Sequence, residues 1–113
     1  MKQTISAIIV NFNTGKLLGE CIASIQRNPD VEVVVVDNAS TDGAAEKLKA
    51  TAKNLKLIFN GNNVGFARAV NQGMSVAQGK YILLLNPDTK VRLGAIEKML
   101  AFAKSMPNAG VVG

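Results

Sequence analysis

The chain has 113 residues, enough for one small domain with a single core. Its 48% hydrophobic and 19% charged residues mark a globular protein and exclude a disordered one. Aromatics are 4% with no Trp, which argues against a single-stranded nucleic-acid platform, and the absence of His excludes His-based triads and His-ligated zinc.

The net charge of +5 is scattered, although Lys47, Lys49, Lys53 and Lys56 gather around one helix. A solvated helix face accounts for them, so no nucleic-acid partner is expected. The balance also suits a phosphate-bearing ligand or peripheral contact with an anionic membrane. The single cysteine, Cys21, forms no internal disulfide and points to a reducing, cytoplasmic setting. No apolar run is long enough for a signal-peptide core or a membrane span.

Ile5 to Val10 reads as a first strand, ended by Asn11-Phe12-Asn13-Thr14-Gly15. A helix from Lys16 to Gln26 follows, with Leu17, Leu18, Cys21, Ile22 and Ile25 at helical spacing. Val31 to Val36 is a second strand, apolar and β-branched. Ser40, Thr41 or Asp42 can cap the next helix, Ala44 to about Lys53. Leu55 to Phe59 is a third strand. After the turn-rich Asn60 to Gly65, a helix runs from Phe66 to Ala77, with Phe66, Val70 and Met74 as its apolar face and Gly79 as its terminator. Arg68, Asn71, Gln72 and Ser75 form its polar side.

Tyr81 to Leu85 is uniformly apolar and stops at Asn86-Pro87-Asp88. It reads as a central strand covered on both faces. Pro87 cannot donate to a ladder, so pairing ends near Asn86. A helix from Leu93 to Lys104 and a fifth strand over Ala109 to Val112 complete the pattern. Strict alternation of strand and helix predicts an α/β fold, a three-layer α/β/α sandwich with a mainly parallel sheet.

Three strands end in polar residues: Asn11-Phe12-Asn13, Asp37-Asn38 and Asn86-Pro87-Asp88. If strand order reverses between the first and the fourth, these ends flank one crevice, the usual ligand position in such a sheet. The first turn lacks the G-x-G-x-x-G of dinucleotide sites, and no Walker sequence occurs. A diphosphate bound here needs other counter-charges. Asp88 holding Mg²⁺ or Mn²⁺ is one, and Arg68 is another. Each residue also has a plainer reading. Asn-Pro-Asp favours turns, Asp37 can close a strand as an Asx-turn, and Phe12 can be core.

Four segments together resemble the family 2 glycosyltransferases of the GT-A fold, across nearly the whole chain. They are Ile8 to Asn13, Val35 to Gly43, Asn63 to Gly73 and Leu84 to Asp88. The Asn-Pro-Asp form is similar to the rhamnosyltransferase branch. The resemblance implies that Phe12 lies by the nucleobase, with Asn11 and Asn13 beside it. It implies that Asp37 and Asn38 bind the nucleotide and that Arg68 faces its diphosphate. Asn86-Pro87-Asp88 stands at the family's Asp-x-Asp metal motif. Asn86 brings no charge there, but its amide can bind the nucleotide at the ribose or bond a metal-bound water; Asp88 is the metal carboxylate, so the implied cofactor is a divalent cation, Mg or Mn.

The implied reaction is inverting transfer of a sugar, rhamnose by the branch, from a TDP- or UDP-linked donor to a saccharide or lipid-linked acceptor. The chain then reads as the N-terminal nucleotide-sugar-binding part, residues 1–113, of a longer domain, with the catalytic base beyond Gly113. An apolar edge at Val111-Val112 would favour self-association. A non-catalytic nucleotide-binding module and a receiver-like signalling domain are the competing readings. The receiver needs an acidic cluster at the first strand end, and Asn11-Phe12-Asn13 has none.

Overall fold

The computed structural model describes residues 5–49 and 55–105. The fifth strand expected over Ala109 to Val112, and its Val111-Val112 edge, lie outside them.

Four strands, β1 (Ile5–Asn11), β2 (Val31–Asp37), β3 (Leu55–Phe59) and β4 (Tyr81–Leu85), alternate with four helices. These are α1 (Lys16–Ile25), α2 (Ala44–Leu48), α3 (Phe66–Val76) and α4 (Ala95–Ser105). The sheet order is β3-β2-β1-β4, with every pairing parallel. The chain thus runs outward from β1 to β3 and then crosses to the far side of β1. The strand order reverses at β1, the condition for a shared crevice, and the switch point lies between β1 and β4.

Alternate strand residues feed two cores. Ile5, Ala7 and Ile9 of β1 and Val31, Val33 and Val35 of β2 face α1, α2 and α4, where Leu18, Cys21, Ile22, Ile25, Ala45, Leu48 and Ile96 pack on them. Full burial of a side chain such as Leu18 or Ile22 contributes about 1.5–3 kcal/mol. Ile8, Val34 and Val36 face the other way, toward Ala69 of α3. This is the expected α/β/α sandwich, with three helices on one face and one on the other among the described residues.

The register of β1 on β2 is fixed at both ends by polar pairs. Ser6 stands opposite Glu32, and Asn11 opposite Asp37. All four are buried, and each pair is hydrogen-bonded. A slip of one residue would leave two buried carboxylates without these partners. Glu32 is the hub at the amino edge. Its Oε2 accepts from Ser6 Oγ at 2.5 Å and from Gln78 N at 2.6 Å, and Lys56 Nζ lies 3.0 Å from Oε1. Burial by itself would raise its pKa, but these hydrogen bonds and the Lys56 charge hold it below the ordinary value.

Two expectations fail on face assignment. α3 does not bury Phe66, Val70 and Met74; Phe66 and Met74 are 59% and 48% exposed, and the buried residues are Ala69 and Gly73. Small residues win because the helix lies close on the sheet. A Cβ at Gly73 would stand 2.7 Å from Ile8 Cγ2. Nor is β4 covered on both faces. It pairs with β1 alone and is an edge strand of the described sheet, so Ile82 and Leu84 are exposed. Gly79 does not cap α3, which ends at Val76. It passes against the start of β1, where a Cβ would lie 2.6 Å from the Ile5 carbonyl carbon.

Candidate functional site at the switch point

Parallel pairing brings the ends of all four strands to one edge. The backbone ladder continues past the strands there: Asn38 N donates to Asn11 O and Asn60 N to Asp37 O, both at 2.9 Å. The side chains then knit the loops together. Asn11 is fully buried, and its Nδ2 donates to Asp37 Oδ1 at 2.8 Å and to Ser40 Oγ at 3.4 Å. Its Oδ1 accepts from Thr14 Oγ1. Asp37 Oδ2 accepts from Ser40 N at 2.9 Å. The strand-closing role of Asp37 is therefore real, and each of its oxygens keeps one further acceptor position.

The first two loops are stitched reciprocally. Asn13 N donates to Ser40 Oγ at 2.9 Å, and Thr41 N to Asn13 Oδ1 at 2.8 Å. Asp42 Oδ2 accepts from Gly15 N at 2.8 Å, and Oδ1 from Ala44 N at 3.1 Å. The Ala44 and Gly15 amides hold the Asp42 carboxyl below its ordinary pKa. Asn13 and Ala39 take positive φ, 51° and 63°, conformations the stitching has to sustain.

Asn38 turns toward α3. Its Nδ2 donates to Gly65 O at 3.3 Å, and its Oδ1 accepts from Asn60 Nδ2 at 2.9 Å. Asn60 and Gln72 exchange two amide hydrogen bonds of 2.9 Å. Of the predicted site residues, Asn11, Asn13, Asp37 and Asn38 are thus joined in one network. Sequence reading missed Thr14, Asn60 and Gln72 as members. The signal for Asn60 was its place just after the third strand, at the same edge.

The other predicted residues stand apart from that network. Phe12 is half exposed at 50%, its ring outside the core. Arg68 lies on the exposed side of α3. Asn86 and Asp88 are exposed beyond β4, and Asn86 O accepts from Thr89 N at 3.0 Å. A pocket of about 170 Å³ opens between α3 and β4, with Ile8, Val10, Val70 and Leu84 below and Asn86 and Thr89 at its polar end. On the other face, Cys21 Sγ lies 3.7 Å from Asn86 O. Burial and the Asp88 charge push the thiol up to about 11, so it stays protonated. Among the described residues no group of three or more His, Cys, Asp or Glu is placed to hold a metal, and no helix is long and apolar enough to cross a membrane.

Comparison with known proteins bears on the whole constellation. The Streptococcus pneumoniae glycosyltransferase GlyG is 35% identical over 104 residues, covering 88% of this chain and 35% of GlyG. An N-acetylglucosaminyl-diphospho-decaprenol L-rhamnosyltransferase of Mycobacterium tuberculosis is 27% identical, covering 100% of this chain and 41% of the relative. The crystal structure of Staphylococcus aureus TarS 1-349 in complex with UDP-GlcNAc superposes with a TM-score of 0.80 at 22% identity, over 98% of this chain and 37% of that one. The chain thus spans well under half the length of these relatives. TarS supports the fold. The family model described as glycosyl transferase family 2 matches residues 6–113, and on that match this chain belongs to glycosyl transferase family 2.

Proposed function

We propose that this chain is the nucleotide-sugar-binding part, residues 1–113, of an inverting glycosyltransferase. The observation that carries the reading is the hydrogen-bonded network of Asn11, Asp37 and Asn38 at the switch point, in a chain of this family. The ligand is a nucleoside diphosphate sugar. Phe12 offers its exposed ring to the base, and Asp37 offers its remaining acceptor positions. Asn38 fixes the Gly65 end of the loop that leads into α3. Arg68 supplies a counter-charge to the diphosphate.

The donor set at the carboxyl end of β4 fits a hard divalent cation. Asp88 is an exposed carboxylate, and Asn86 is an amide beside it that can bond a ribose or a metal-bound water. One carboxylate with substrate phosphates and waters is a common shell for Mg²⁺ or Mn²⁺. When bound, such an ion neutralises charge on the leaving diphosphate. The Asn-Pro-Asp form and the similarity to the M. tuberculosis enzyme support rhamnose as the sugar. The acceptor is a saccharide or a lipid-linked one, met in the cytoplasm or at the inner face of the membrane.

Inverting transfer needs a carboxylate base within reach of the acceptor hydroxyl. All eight carboxylates of the chain lie among the described residues, and none is spare at the crevice. Glu32 is buried at the opposite edge, Glu20 pairs with Lys90, and Asp42 holds loop amides. Asp30 lies in the turn before β2, and Glu46 and Glu97 are exposed on helices. Asp37 and Asp88 serve the donor. The base therefore comes from outside these residues, and this chain binds donor without transferring sugar.

Calorimetry with UDP, TDP and their sugars, with and without Mn²⁺, tests the reading. Binding is expected, weakened by about 1–3 kcal/mol in Asp37→Ala. Asp88→Asn should remove the Mn²⁺-dependent gain. No binding of any nucleotide, or sugar transfer by the chain alone that Asp88→Ala abolishes, would overturn it.

A further inference from the structure

Asp88 sits midway along the segment from Asn86 to Val91, which leaves β4 and re-enters the core before α4. Its side chain is exposed, and no hydrogen bond or ion pair reaches its carboxylate from the described residues. Its position is therefore set by the backbone on either side. Both sides are held by α1 and the turn after it.

At the near end Cys21 Sγ donates to Asn86 O at 3.7 Å. At the far end Val91 has both backbone groups taken by side chains. Val91 N donates to Ser24 Oγ at 2.9 Å, and Val91 O accepts from Arg27 Nη2 at 2.9 Å. Ser24 Oγ donates in turn to Cys21 O at 2.6 Å, so the hydroxyl is oriented by the helix to accept from the loop. Cys21, Ser24 and Arg27 follow at three-residue steps, which places them along one side of the helix and its exit. The Val91 side chain is buried in the α1 core, so the far end is pinned by packing as well. The Lys90–Glu20 ion pair at 3.2 Å adds an exposed contact of little weight.

We propose that Ser24 and Arg27 are positioning residues for Asp88: they pin the far end of the loop that carries the carboxylate, and Cys21 holds its near end. The role assigned to Asp88 rests on the function proposed above; the bracket itself does not. A plain structural staple would make the same bonds, so the test must read the loop and Asp88 separately from stability.

Hydrogen exchange on the purified protein without ligand reads the loop. Ser24→Ala and Arg27→Gln are expected to speed exchange of the amides of Asn86 and residues 88–91 about tenfold, leaving β1 and β2 unchanged. Calorimetry with UDP and Mn²⁺ reads Asp88. Ser24→Ala should weaken binding about tenfold, Ser24→Thr should restore it, and in an Asp88→Asn background Ser24→Ala should have no further effect. Unchanged exchange in the loop overturns the proposal, as does faster exchange with unchanged affinity. An equal loss of affinity in the Asp88→Asn background marks a staple and also overturns it. If the unaltered protein binds no UDP, the donor-site reading fails. The bracket is then decided by exchange at Asp88 alone, where faster local exchange in Ser24→Ala supports it and unchanged exchange overturns it.

Discussion

Two buried carboxylates stand one at each end of β2, and the function proposed above uses only Asp37. Asp37 serves the carboxyl edge, where a ligand can reach the loops. Glu32 serves the amino edge and is tied to Ser6, Gln78 and Lys56. Its folded pKa lies below the ordinary 4.5, so its contribution is fully present above that value and is lost as pH falls through the folded pKa. Glu32→Gln should lower stability by about 1–3 kcal/mol at pH 7 by disrupting the hydrogen bonds of the Ser6 hydroxyl and the Gln78 amide. Thermal denaturation of both proteins from pH 7 downward should show the gap closing below pH 4.5. A gap that stays constant into acid would show that the charge on Glu32 is not what stabilises this edge.

At the scale of elements, helix-to-sheet distance governs what is buried. α3 lies so close that Gly73 faces Ile8, and the turn after it brings Gly79 against the β1 backbone. Gly73→Ala meets a buried side chain and gains some helix propensity, so a loss of about 1–3 kcal/mol is expected. Gly79→Ala meets backbone atoms at 2.6 Å, which cannot rotate away, and should cost more. Denaturant midpoints in the order wild type, Gly73→Ala, Gly79→Ala check this; a reversed order would mean that the β4 entry yields more easily than α3. These contacts also explain what could be read in advance. β3 and β4 were legible to the residue, because apolar runs bounded by turn residues define strands. The buried face of α3 was not, because hydrophobicity marks Phe66 and Met74 while close approach selects Ala69 and Gly73. The strand-end residues of the site were legible for the same reason as the strands. Asn60, Gln72, Ser24 and Arg27 were not, since their partners depend on how distant elements pack, and Thr14 was not because its bond to Asn11 depends on the local loop conformation.

Among the described residues, one face of the sheet is well covered and the other is sparse. α1, α2 and α4 close the first. On the second, α3 covers β1 and β2, and Phe66, Met74, Ile82 and Leu84 remain exposed, Phe66 and Leu84 at the pocket. Exposed apolar surface on an edge strand favours association. Sedimentation of the 113-residue chain is expected to show concentration-dependent self-association, reduced by Leu84→Lys. A monomer at every concentration would show that this face tolerates water.

The central position of β1 bears on the order of events during synthesis. Ile5 pairs with Val31 on one side and Tyr81 on the other. Of the described strands β1 is made before its neighbours, and its second neighbour is made only after β2, β3 and α3. Pairing β1 with a strand so distant in sequence slows refolding relative to helical domains of similar size. Until β4 arrives, one flank of β1 offers an unpaired strand edge to any other extended chain nearby, so nascent copies on one message are exposed to mispairing before the switch point exists.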